Sequence, residues 1–216
     1  MRTHVTYLFD PLCGWCYGAS AAIGQLSQQP SLRLELAPTG LFAGAGRVMD
    51  AAFAVHAWAN DRRIAELTGL PFSGAYRRNV LDRPDSPFDS SVATLALTAV
   101  ALNAPSRELE MLKALQDARY VQGLDICDVA VVEMLLREQG LATAANRLAT
   151  SDAELLAANA ARIRKARRWM QTFGAQGVPA LVVSDDKGSR LLSGDALYGG
   201  FDKLLREVAV AAGSAS

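Results

Sequence analysis

Three cysteines and two histidines are all the sulfur and imidazole this 216-residue chain has to offer a metal. A structural zinc site needs about four ligands. Beside Cys13 and Cys16 there remain only Cys127, His4 and His56, which form no second closely spaced pair. The chain also lacks net charge, with 22 basic against 22 acidic residues, so nothing global points to nucleic acid. No run approaches the roughly 18 apolar residues that span a bilayer. No apolar leader with a small-residue cleavage site precedes Cys13, which predicts the cytoplasm. Repeats and low-complexity linkers are missing too. What remains is half apolar, enough for a sizeable core, and its length suits one compact unit with an inserted subdomain.

Against that background one motif stands out, Cys13-Gly14-Trp15-Cys16. It follows the apolar run His4 to Phe9, which reads as a strand, and precedes Tyr17 to Gln29, which reads as a helix. The spacing puts Cys13 at a helix start, where free backbone N–H groups and the helix dipole favour an anion. Such a place lowers a thiol pKa and exposes a reactive thiolate. Cys16 follows one turn later, within disulfide reach. The pair reads as a two-electron thiol–disulfide centre, against the alternatives of a metal site or two core cysteines. Far along the chain, Gly177-Val178-Pro179 heads the apolar run Ala180 to Val183. Pro179 reads either as a strand-initiating proline or as a cis-proline that frees the backbone of Val178 for an extended substrate.

Ser31 to Leu36 alternates as a half-buried strand, so the chain opens β-α-β. Residues 47–170 then read as helical. Within them Val92–Leu102, Arg107–Arg119, Asp128–Gln139 and Asp152–Phe173 are distinct helices, the last with Leu156, Ile163, Ala166, Met170 and Phe173 as its buried stripe. A hairpin around Asp185 to Gly188 and a helix Asp195–Ala211 close the chain, with 213–216 as a loose tail. The two ends must meet. The expected fold is α/β, with residues 1–46 and 171–216 forming one domain and 47–170 inserted as an all-helical subdomain.

Phe9 to Tyr17, with Gly177-Val178-Pro179 and the stretch Tyr120 to Ile126, resembles the DsbA family of thioredoxin-fold oxidoreductases, and within it the cytosolic FrnE-like and DsbM-like branch. The resemblance spans nearly the whole chain. It implies that Cys13 is the nucleophile and Cys16 the resolving thiol. It makes Pro179 the cis-proline and Val178 the residue that pairs with substrate. Kappa-type glutathione transferases and chromene-carboxylate isomerases share the scaffold, and by likeness to them Gly194 and Asp195 hold glutathione. Gly14-Trp15 replaces the Pro-His of periplasmic members, so a less oxidising centre is expected. In a reducing cytoplasm the pair rests as a dithiol and gives electrons away. The expected activity is therefore a disulfide reductase or isomerase. Its partners are disulfide-bearing proteins and glutathione or a thioredoxin-type reductant, with no tightly bound cofactor. A glutathione-dependent transferase or isomerase that does without Cys16, and a non-catalytic chaperone-like module, are the rival readings.

Other residues have plainer roles. Trp15 is expected beside the thiols, where it shapes what approaches them. Asp10 reads as a turn former, Cys127 as a packing residue and His4 as satisfied by a neighbour rather than tuning a thiolate. Arg162, Arg164, Lys165, Arg167 and Arg168 read as a solvated helix face, with a docking surface as the alternative. Gly40-Leu41-Phe42 follows the second strand, near the expected active-site edge.

Overall fold

A computed structural model describes residues 3–210. The expected loose tail and Ala211 lie outside them. Four strands, β1 (Thr3–Phe9), β2 (Leu32–Pro38), β3 (Ala180–Asp185) and β4 (Gly188–Leu192), form one sheet in the order β2-β1-β3-β4. β1 pairs parallel with β2 and antiparallel with β3, so the chain's two ends build one sheet. Helices α1 (Gly14–Gly18) and α2 (Ser20–Ser27) link β1 to β2. Between β2 and β3 run α3 (Ala51–Thr68), α4 (Gly74–Tyr76), α5 (Ser91–Asn103), α6 (Glu108–Asp117), α7 (Val129–Glu138), α8 (Ala142–Thr150) and α9 (Ala153–Phe173). α10 (Phe201–Val210) ends the described chain.

Strand side chains alternate between faces. Val5, Tyr7 and Phe9 point into a large core that continues into the helical block, while Leu8 points the other way. There it meets Ala37, Ala180, Val182 and Ala166 of α9, with Trp169, Met170 and Phe173 around them. The division expected at residue 170 thus falls inside α9, whose C-terminal half covers the sheet. Its N-terminal half packs on the helical block, and one face serves both contacts: Leu155 and Ala166, eleven residues apart, lie on the same side of the helix. Leu156 falls about 100° off that face and is exposed, contrary to the expected stripe.

Three helices differ from expectation. The first begins at Gly14 and restarts after Ala19. The helix expected over Arg107–Arg119 ends as α6 at Asp117. The chain then widens into a π turn, Ala118–Gln122, that carries Arg119 and Tyr120 inward. Gly123 closes it at φ 72°, where an added Cβ would lie 2.6 Å from the Ala75 carbonyl carbon. The expected helix from Asp195 is a 3-10 turn, Gly194–Tyr198, and α10 starts only at Phe201. Gly199 and Gly200, the latter at φ 91°, separate them.

The basic run on α9 is more than a solvated face. Arg167 donates to the carbonyls of Thr39 and Gly40, Arg162 to that of Leu36, and Lys165 pairs with Glu35. These residues fasten α9 to β2 and the loop after it. Arg164 and Arg168 are exposed.

Candidate active site

The site is built where β1 hands over to α1. Asp10 is fully buried and organises the turn. Its Oδ1 accepts the Leu12 N–H at 3.0 Å, and its Oδ2 accepts the Phe42 N–H at 3.1 Å and the Ser90 hydroxyl at 2.8 Å. One carboxylate thereby joins the Cys13 turn, the loop after β2 and the start of α5. Burial pushes its pKa up, against the pull of these three hydrogen bonds. Gly40 stands at φ 56° beside Ile163 and lets that loop fold back on the site. Tyr120 makes a second link from the helical block, donating to the Leu12 carbonyl at 2.9 Å.

Cys13 is the N-cap of α1, with extended backbone, and contributes no side-chain cap. The expected exposed sulfur is nearly covered, since Cys13 is 8% accessible. The covering is Val178, whose carbonyl accepts from Cys13 Sγ at 3.5 Å. The Val178–Pro179 bond is cis. Of the two backbone groups of Val178 expected to await a substrate, the carbonyl is already engaged by the thiol. Cys16 is 1% accessible. Burial first, then its hydrogen bond and charge contact with Cys13, raise its pKa well above the ordinary thiol value. Tyr7 donates to the Cys16 carbonyl at 3.3 Å from below.

A cleft of about 430 Å³ opens on the β3 side of the motif. The structure brings Trp15, Val178, Pro179, Gly194 and Asp195 together in its walls. Neither thiol lines it; Cys13 reaches it only through the Val178 carbonyl. Tyr198, which sequence reasoning missed, donates to the Trp15 carbonyl and meets the indole edge-on at 5.4 Å. A tyrosine four residues from a helix-like glycine carried no signal of its own. Asp195 does not cap the last helix; Ser193 caps the short turn by accepting the Asp195 N–H.

Gly194 has a steric reason to be glycine, because a Cβ there would lie 2.4 Å from the Pro179 carbonyl oxygen. Both groups are backbone-bound, so neither swings away cheaply. Gly194→Ala should cost about 1–3 kcal/mol in chemical denaturation, the usual range for overpacking. It should also lower turnover at the cleft it distorts. A variant as stable and as active as the parent would show that this contact opens freely.

The remaining expected residues fall away from the thiols. His4 pairs with Glu35 at 3.4 Å near the far end of β1. Cys127 is half-buried in the turn before α7, and burial pushes its thiol up to about 11. Among the described residues no group of three His, Cys, Asp or Glu side chains is placed to hold a metal, and no helix is long and apolar enough to cross a membrane.

A four-stranded mixed sheet with a Cys-x-x-Cys at a helix start, a cis-proline beside it and a helical insertion defines a thioredoxin-fold thiol–disulfide oxidoreductase. A model of the DSBA-like thioredoxin domain matches residues 4–206, and the chain belongs to that family. It is similar to the cytosolic disulfide reductase DsbM from Pseudomonas aeruginosa, at 29% identity and a TM-score of 0.84, over 97% of this chain and 99% of that one. A structure of that reductase with GSH matches at 30% identity and a TM-score of 0.81, over 96% and 99% of the two chains. A protein of Nitrosomonas europaea, 22% identical, shares the fold at a TM-score of 0.81 over 99% and 100%. No protein of curated function matches the sequence.

Proposed function

We propose that this chain is a cytosolic disulfide reductase that works on protein disulfides or glutathione mixed disulfides and is reset by glutathione. The observation that carries this reading is the asymmetry of the two sulfurs. Cys13 lies at the surface end of the motif against the Val178 carbonyl, and Cys16 is sealed behind it as a protonated thiol.

Cys13 gives its proton to solvent and, as the thiolate, attacks one sulfur of a disulfide R–S–S–R′ and expels R′–S⁻, which takes a proton from solvent. Displacement of the Cys13 sulfur from Val178 frees that carbonyl for the backbone of the incoming chain. Cys16 then loses its proton, attacks Cys13 Sγ and expels R–S⁻. The Cys13–Cys16 disulfide that remains is reduced by two glutathione molecules, which leave as glutathione disulfide. The cleft beside Pro179 suits glutathione. It offers the Trp15 and Tyr198 rings, a half-buried Gly194 backbone and the exposed Asp195 carboxylate for an amino group. The Pseudomonas relative, a cytosolic reductase also solved with GSH, supports both the reaction and the ligand.

The test is the reduction potential of the Cys13–Cys16 couple against glutathione. We expect a value in the range of glutaredoxins and thioredoxin, about −200 to −270 mV, with catalytic turnover in glutathione. A potential near that of periplasmic DsbA, about −120 mV, would mark the chain as an oxidant and overturn the proposal.

A further inference from the structure

A second cavity flanks Cys13 on the side away from the cleft, and the mechanism above makes no use of it. Its volume is about 300 Å³, and Cys13, Gly14 and Trp15 form one wall. Trp15 lines both spaces, so the motif stands between them. Five further rings, Phe42, Phe53, Phe88, Tyr76 and Tyr120, line the other walls with aliphatic side chains between them and His56 and Asn60 as a polar corner. Among these rings stands one acid, Asp61 of α3, only 4% accessible. Its Oδ2 accepts from the Tyr76 hydroxyl at 2.9 Å. Its Oδ1 has no hydrogen-bond donor among the described residues and is turned toward Gly14, where a Cβ would approach it to 2.5 Å. Sequence reading singled out neither Asp61 nor the cavity.

We propose that this cavity is a recognition subsite for the side chain next to the cysteine of a peptide disulfide, and that it takes an aromatic ring bearing one hydrogen-bond donor, read by Asp61 Oδ1. The proposal rests on the reductase reading above and names its substrate class.

The chemistry of the walls selects the occupant. The volume suits one large side chain, and aromatic rings pack well against aromatic rings. An anion would meet the Asp61 charge. A cation is not called for, because the Arg119 guanidinium, buried behind the rings of Tyr76, Phe88 and Tyr120 at 5.6 to 5.8 Å, already opposes it. A ring without a donor would bury Oδ1 unpaired, which a polar pocket rejects strongly. A ring with a phenol hydroxyl or indole N–H suits the aromatic walls and Asp61 Oδ1 together. Asp61 is a positioning residue here and takes no part in the sulfur chemistry.

Burial pushes the Asp61 carboxyl up to about 6, against the Tyr76 hydrogen bond and the Arg119 charge. The carboxylate is the better acceptor, so preference for a donor-bearing ring should grow as pH rises through that value. The titratable and charged groups that share this cavity or face Asp61 are Tyr76, Tyr120, Arg119, Cys13 and His56.

The experiment uses the full chain and three short peptides, each disulfide-linked through its one cysteine to glutathione and differing only in the next residue, Tyr, Phe or Ala. We expect kcat/KM for the Tyr peptide to exceed that for Phe by about tenfold or more. The ratio should collapse toward one in Asp61→Ala, which removes both oxygens, and in Asp61→Asn, which keeps one acceptor, it should lose its rise near pH 6, while His56→Gln keeps the rise. Equal rates for Tyr and Phe peptides with the unaltered protein overturn the subsite while leaving the reductase intact. No reduction of any of the three peptides, the Ala peptide included, would instead overturn the reductase reading on which the subsite depends.

Discussion

Cys16→Ser converts the protein into a trap. It should accumulate mixed disulfides through Cys13 and release none, whereas Cys13→Ser should form none. Either change should lower reductase turnover on the order of 10³-fold or more, as loss of a covalent nucleophile does. The reason lies in how each sulfur is held. Cys16 is disfavoured as an anion by burial and, next, by the hydrogen bond and charge of Cys13. Once Cys13 Sγ is bonded to substrate it carries no charge, and that part of the penalty disappears. The resolving thiol therefore becomes easier to ionise at the moment its target bond exists. Non-reducing gels and mass spectrometry after incubation with disulfide-bearing protein read the outcome. Equal trapping by both single variants would reverse or dissolve the assigned roles.

Asp10→Ala should be the most destabilising single change in the turn. It strips the acceptor from the Leu12 N–H, the Phe42 N–H and the Ser90 hydroxyl together, in a place closed to water. An unsatisfied buried donor costs about 1–3 kcal/mol. With the hydroxyl free to turn elsewhere, a loss of roughly 3 kcal/mol or more in denaturant unfolding is expected. Asp10→Asn, which keeps one acceptor oxygen, should cost less. Because the turn that holds Cys13 is loosened, Cys13 should alkylate faster in Asp10→Ala than in the parent, where it is 8% accessible. The pH dependence has a definite sign. The native carboxyl binds its proton more tightly than the unfolded one. The parent should therefore lose stability relative to Asp10→Asn as pH rises from about 4 through the raised native value. A loss under about 1 kcal/mol for Asp10→Ala would show that water or another acceptor serves these donors.

The reading from sequence succeeded where local rules suffice. The run His4 to Phe9, the two cysteines one turn apart and the proline at the head of Ala180 to Val183 each carry their structure in their own neighbours, and all three stand where expected. It failed where a segment's shape is set by what packs on it. Leu155 and Leu156 are equivalent by composition, and only the way α9 docks decides which of the two faces the core. Gly199-Gly200 breaks a helix that periodicity alone carries through. The Cys13 sulfur was expected open because a helix start is open in an isolated helix, yet Val178 arrives from 165 residues away to cover it.

The strand–turn–helix unit that carries Cys13 and Cys16 was thus decided by the order of residues, since turn chemistry, helix starts and alternation act over a few positions. The tertiary structure alone decided which surfaces flank Cys13. Asp61, Tyr120 and Tyr198 come from elements scattered along the chain, and no periodicity marks them. An acid on a half-polar helix looks like any solvated acid until Gly14, having no Cβ, lets the backbone of the motif come up beside it.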